Sequence, residues 1–148
     1  MPAYEVSNHA RAGSESRHNL IYWRYGDYVG IGPGAHGRVT IEGVKWGTEQ
    51  FSNPRRWMDA EAAGNPEKPR VALSRQDQAE EFLLMGLRLS GGISLERYQA
   101  LAGTSLEGPA LRHLVDIRMI ERKGDNISVS NQGVMVLNAV LAELVADQ

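Results

Sequence analysis

In residues 79–87, Ala79, Phe82, Leu83, Gly86 and Leu87 recur at i, i+3, i+4, i+7 and i+8. A helical period of about 3.6 residues carries all five to one face. Such a stripe leaves water only by packing against other elements, so the rest of the chain must supply them. Ser74-Arg75-Gln76-Asp77 resembles a capping box ahead of this helix, with Asp in place of the usual Glu, and Gly91-Gly92 ends it. Ser94 caps a short helix carrying Leu95, Tyr98 and Leu101, which stops at Gly103. Pro109 opens another helix, with Ala110, Leu111, Leu114 and Val115 inward. A strand near Ile120, a turn at Lys123-Gly124-Asp125-Asn126 and a strand alternating Ile127 and Val129 follow. The last helix is predicted from about Gln132 to Ala146, with Val134, Leu137, Leu141 and Leu144 aligned. Helix, helix, helix, two-stranded wing, helix is the order of a winged-helix-like lobe, and that order alone assigns no function.

The character of the chain changes near residue 52. Residues 1–51 are rich in glycine and aromatics and hold His9, His18 and His36, three of the four histidines. Tyr4–Ser7 and Tyr28–Ile31 read as short strands separated by a polar stretch, and Gly32–Gly37 as a tight glycine-rich turn. Val39 and Ile41, then Val44 and Trp46 after Glu42-Gly43, alternate as a β-hairpin does. Asn53-Pro54 starts a helix that stops at Gly64-Asn65-Pro66. The fold class expected is α+β, with a segment spanning 1–51 and a mainly helical, winged-helix-like domain spanning 52–148.

Composition removes several classes of function. With 42% apolar residues, 23% charged and a formal net charge of −2, the chain has no bulk attraction for nucleic acid or anionic membranes. No apolar run approaches the roughly 18 residues needed to span a bilayer, and the N-terminus has no basic-then-apolar leader, so a cytoplasmic location is expected. Cysteine is absent, which removes disulfides, zinc–thiolate sites and cysteine-ligated iron–sulfur clusters from this chain.

Three stretches are candidates for chemistry. The helix from Pro109 would offer Arg112, His113 and Arg118 to DNA, but the wing adds only Arg122 and Lys123, with Glu121 and Asp125 beside them, so a packing lobe is favoured. Gly30, Gly32, Gly34 and Gly37 match no phosphate-binding spacing and serve a sharp turn or a close backbone approach to a ligand. His18-Asn19-Leu20-Ile21-Tyr22-Trp23, flanked by Arg17 and Arg24, puts His18 and Tyr22 on one face if helical. His18 could then be an axial iron ligand, Tyr22 a ligand or hydrogen-bond partner, Trp23 a cover for an apolar macrocycle, and the arginines partners for propionates. A surface turn with the aromatics buried and His18 bonded to a carbonyl is equally open chemically, and commoner.

The run Tyr4-Glu5-Val6-Ser7-Asn8, Glu15-Ser16-Arg17-His18-Asn19, Tyr22-Trp23, then Asp27-Tyr28-Val29-Gly30-Ile31-Gly32-Pro33-Gly34-Ala35-His36 and Arg38 resembles the C-terminal part of the oxygen-independent coproporphyrinogen III oxidase-like proteins. Asn53-Pro54, Met85-Gly86-Leu87-Arg88-Leu89, Gly92-Ile93 and Val136-Leu137-Asn138 extend the resemblance over nearly the whole chain. His9 and Ala12 depart from it, where an aromatic and a proline are usual. These are radical S-adenosylmethionine (SAM) proteins, and one branch acts as haem chaperones. The resemblance implies that HNxxYW, at His18, Asn19, Tyr22 and Trp23, takes part in haem binding, with His18 as the iron ligand. It also implies propionate or substrate contacts at Arg17, Arg24 and Arg38, and a cofactor- or substrate-proximal loop at Gly32, Gly34, Ala35 and His36.

The same resemblance implies SAM and a 4Fe–4S cluster held by a CxxxCxxC loop in the intact family, and this chain has no cysteine to form one. The expectation is therefore a haem- or porphyrin-handling module of an oxidoreductase family that is inactive alone, not a nucleic-acid or membrane-spanning protein. A structural or protein-interaction lobe is the alternative, and a winged-helix DNA binder a further one. Tyr4–Ser7 and Tyr28–Ile31 would be barrel strands with unpaired edges, expected to pair with a missing radical SAM half, to pair in a homodimer, or to be poorly ordered.

Overall fold

A computed structural model describes residues 1–147. In chain order the elements are α1 (Arg17–Trp23), β1 (His36–Ile41), β2 (Val44–Glu49), α2 (Pro54–Ala62), β3 (Val71–Ala72) and α3 (Arg75–Gly86). They continue with β4 (Ile93–Ser94), α4 (Leu95–Ala102), α5 (Pro109–Asp116), β5 (Ile120–Lys123), β6 (Asn126–Val129), α6 (Asn131–Val134) and α7 (Leu137–Ala146). The mixture is α+β. Contacts divide it into two compact units, Met1–Tyr25 with Arg75–Gln148, and Gly26–Ser74, so the grouping does not follow the change in composition near residue 52.

The larger unit is built on the predicted stripe. Ala79, Phe82, Leu83 and Gly86 are buried on α3, and Leu87 continues the stripe into the following turn. Gly86 has a packing reason: a Cβ there would lie 2.2 Å from Ile93 Cγ2, so α3 and β4 approach too closely for a side chain. Ser94 Oγ accepts from Arg97 N at 3.0 Å and starts α4, and Gly103, at φ 80°, ends it in the left-handed conformation. Pro109 opens α5, which turns Ala110, Leu111 and Leu114 inward. The wing is three-stranded rather than two-stranded, in the order β4-β6-β5, because Ile93 and Ser94 pair antiparallel with Ile127 and Asn126.

The predicted final helix is broken. Ser130 caps α6, Gly133 lies against the Met119 carbonyl where a Cβ would sit 2.2 Å away, and Val136 leaves helical geometry at φ −126°, ψ 28°. Leu137, Leu141 and Leu144 fill the core as expected, whereas Val134 is exposed. The close approach at Gly133 orients α6 independently of α7, so the expected alignment of Val134 with that stripe is lost.

Tyr4–Ser7 is not an unpaired strand. Glu5 bridges Leu89, Val6 N donates to Arg88 O, and Ser90 N donates to Tyr4 O. Glu5, buried, curls the segment by accepting Ser7 N and Asn8 Nδ2 on Oε1. A tight loop with local partners has replaced an extended edge.

In the smaller unit, β1 and β2 form the predicted hairpin, and β3 adds to β2. Glu42 and Gly43 have φ of 51° and 79°, the two positive values of a type I′ turn, whose twist suits a two-residue hairpin. Tyr28–Ile31 is likewise no strand: Tyr28 makes a single bridge to Arg38, and Val29 and Ile31 are exposed. Gly30 and Gly37 meet the His36 carbonyl and Thr48 Oγ1 so closely that a Cβ would overlap them, at 2.2 and 2.5 Å.

Candidate functional site

Ser16 Oγ accepts from Asn19 N at 3.3 Å and starts α1, so the whole HNxxYW stretch lies in one seven-residue helix that begins at Arg17. On a helix, His18 and Tyr22 share a face, while Leu20, Trp23 and Arg24 point to nearly the opposite side. The Tyr22 hydroxyl lies 2.9 Å from His18 Nε2, and the rings meet edge-to-face at 4.7 Å. His18 is exposed. Asn19 Nδ2 donates to the Tyr4 hydroxyl at 3.3 Å and ties the helix to the N-terminal loop.

Trp23 belongs to the other face. Its indole Nε1 is buried with no hydrogen-bond partner, and the Arg88 guanidinium stands 5.0 Å from its ring centroid. That face opens into a cleft of about 500 Å³ whose walls come from α1, α3, the 89–92 turn, β4 and α4. Arg97 donates from Nη2 to Arg24 O at 2.8 Å and lies 4.9 Å from the Phe82 ring centroid. The four motif residues therefore do not converge: His18 and Tyr22 meet each other, Asn19 meets Tyr4, and Trp23 lines the cleft behind the helix. Arg17 is exposed on α1 beside His18, and Arg24 is exposed at its end, on the cleft side.

Arg38 and the glycine loop lie in the smaller unit. Gly34 N donates to Phe51 O, Ala35 N to Gly32 O, and Gln50 N to Ala35 O, which stitches the loop to the end of β2. Gly32 and Gly34 take φ of 108° and 72°, values that strain any residue with a Cβ. His36 is exposed at the start of β1, and Arg38 Nη1 caps the Gly37 carbonyl at 2.8 Å. Lys68, 2.5 Å from Glu49, holds that carboxyl below its ordinary range, and His36 adds a smaller pull.

Arg88 and Arg97, more than sixty residues beyond α1, were not among the candidate site residues, although Arg88 lies in the Met85–Leu89 run that carries the resemblance. Nothing local marks them, because their link to Trp23 and Arg24 is made only by folding. No cluster of three or more His, Asp or Glu side chains suited to a metal occurs among the described residues. For haem, the observation that bears on fit is the His18 imidazole, exposed on the surface and partnered through Nε2 by the half-buried Tyr22 phenol. Such a group can be reached by iron. Trp23, on the opposite side of the helix, could not cover the same macrocycle.

Residues 73–136 match the family model of the HemN C-terminal domain. Over those residues the chain is similar to HemN C-terminal domains. The HemN-like module is 36% identical to the bovine mitochondrial radical S-adenosyl methionine domain-containing protein 1, over 97% of this chain and 35% of that protein. It is 32% identical to the heme chaperone HemW of Bacillus subtilis and 31% to that of Escherichia coli, in each case over 97% of this chain and 38% of the relative. Its fold is similar to that of the Escherichia coli coproporphyrinogen III oxidase HemN, a radical SAM enzyme, with a TM-score of 0.57 at 13% identity over 80% of this chain and 28% of the enzyme. The chain spans a little over a third of the length of these curated relatives. It corresponds to the C-terminal part of haem-related radical SAM proteins. Among its described residues no helix is long and apolar enough to cross a membrane.

Proposed function

We propose that this module contributes haem or porphyrin contacts to a cytoplasmic haem chaperone of the radical SAM type, with α1 as the element that meets the tetrapyrrole. The observation that carries this reading is the His18–Tyr22 pair, its imidazole exposed, on a capped helix within the HNxxYW stretch, in a chain whose relatives include proteins named heme chaperones. His18 would hold the iron, and Arg17 beside it would pair with a propionate. Haem, when bound, supplies a Lewis-acidic iron for the imidazole. SAM and a 4Fe–4S cluster would have to be held largely outside these residues, since no thiolate is available; the module alone is then a binding element rather than an enzyme. A covalent radical SAM half or a second copy of the chain are the partners this reading favours.

Haem titration of the protein and of His18→Ala tests the reading. A Soret band that shifts and weakens on removing His18 is expected; an unchanged band refutes the ligand assignment. A DNA-reading role for the wing finds less support, because Arg122 is paired with Glu107 and Lys123 lies 3.8 Å from Glu121. Those pairs offset the positive charge that phosphate binding needs. An interaction lobe without haem affinity remains the second reading, motivated by the winged-helix order, and binding to a cluster-bearing partner without a Soret response would favour it.

A further inference from the structure

The cleft behind α1 has a chemistry of its own. Its apolar wall is made by Leu20, Trp23, Phe82 and Ile93, and its charged rim by Arg24 and Arg97. Glu15 is the one carboxylate on the lining, so against two arginines the rim keeps an excess positive charge. Arg24 makes no side-chain hydrogen bond or ion pair among the described residues. Arg97 commits one N–H to the Arg24 carbonyl and lies against Phe82, which leaves further donors of its five in a fixed fork. At about 500 Å³ the cleft falls within the usual range of small-molecule sites, roughly 300–1,000 Å³. Aromatic floor and paired guanidinium rim together suit a flat, apolar body with acidic groups at its edge.

We propose that this cleft binds a planar apolar molecule carrying carboxylates, its body against Leu20 and Trp23 and its carboxylates on Arg24 and Arg97. The inference rests on the porphyrin-handling reading for the identity of that molecule and goes beyond it, to a second site that does not include His18. The carboxylate edge is held behind α1, on the side opposite the His18–Tyr22 pair, and Arg97 is a contact that the HNxxYW stretch does not contain. Binding here needs no iron.

Metal-free protoporphyrin IX and its dimethyl ester are the probes, followed by porphyrin absorbance and tryptophan quenching on the full chain. Protoporphyrin IX is expected to bind and to quench Trp23. The ester, without negative charge, is expected to bind at least about tenfold more weakly, the scale of a charge-assisted hydrogen bond lost. Arg24→Gln with Arg97→Gln should weaken the free acid by a similar factor and leave the ester unaffected, while Arg55→Gln, on α2 of the smaller unit, changes neither. Because Arg97 also supports α1, Gly91→Phe is the second variant: Gly91 lines the cleft and a Cβ there meets nothing within 4 Å, so a bulky side chain can be introduced at the lining. It should abolish binding with thermal unfolding unchanged. Equal affinity for acid and ester, or full binding by both the arginine double variant and Gly91→Phe, overturns the proposal. If metal-free porphyrin does not bind while the haem Soret band still depends on His18, the cleft assignment fails and the proposed function stands; loss of both removes both.

Discussion

Gly86 is the sharpest test of the packing described for the larger unit. Two opposing effects act on Gly86→Ala. Alanine gains at most about 1 kcal/mol of helix propensity over glycine. Against this, the new Cβ would lie 2.2 Å from Ile93 Cγ2. Ile93 cannot yield cheaply, because its branch point is on Cβ, it is 4% exposed, and its backbone is paired with Ile127. Overpacking of this kind costs about 1–3 kcal/mol, so the net change is a destabilisation of up to about 2 kcal/mol, or up to about 6 °C in Tm for a chain of this size. Removing the obstacle should reverse the sign. In an Ile93→Ala background, itself destabilised by about 2–5 kcal/mol, Gly86→Ala should be neutral or stabilising. Urea denaturation of the wild type, both single variants and the double variant closes the cycle, with an expected coupling of about 1–3 kcal/mol. A Gly86→Ala variant more stable than wild type, or one equally destabilised in both backgrounds, would refute the account of how α3 meets β4.

Ser94→Ala should destabilise the larger unit by about 1–2 kcal/mol, since Ser94 Oγ both accepts Arg97 N and donates to Asp125 Oδ2 at 2.6 Å; chemical denaturation followed by far-UV circular dichroism reads this, and a change near zero removes the cap's role. Acid stability of the smaller unit should depend on Asp27. Partial burial pushes its carboxyl up, but bonds from Lys45 and Thr40 outweigh that and leave it below the ordinary value of 3.8. A lowered carboxyl stabilises the fold fully above its unfolded value, and that contribution is lost as pH falls from there through the folded value. With the Asp27 side chain 44% exposed the effect is screened to less than about 1 kcal/mol. Trp46 fluorescence during urea unfolding at pH 6 and pH 3 should show a smaller acid loss in Asp27→Asn than in wild type; identical losses would discount the pair.

Much of the architecture is local enough to read from residue order. The α3 stripe, the Asn53-Pro54 and Ser94 starts, the Gly103 stop, the type I′ Glu42-Gly43 turn and the wing all depend on backbone preferences or periodicities within a few residues. HNxxYW was legible as a motif, but its shared His18–Tyr22 face was conditional on a helix that the residue order did not fix. Other features depend on what the chain meets after folding. The segment around Glu5 is held in place because Arg88 and Ser90, more than eighty residues away, take the backbone partners of Val6 and Tyr4. The last helix breaks because Gly133 meets the Met119 carbonyl, and Ile93 becomes a wing strand because Ile127 is beside it.

For function the division is similar. Residue types alone determined that this chain offers no thiolate to an iron–sulfur cluster, because no cysteine is present, and that it offers an imidazole, a phenol, an indole and arginines within eight residues. Tertiary structure decided how those groups are shared out. Helix geometry turns His18 and Tyr22 to solvent, and packing of α1 against α3 and α4 carries Trp23 and Arg24 to Phe82 and Arg97. Side-chain direction on a helix follows from spacing, but which face is covered, and by which distant arginine, is a property of the packed core.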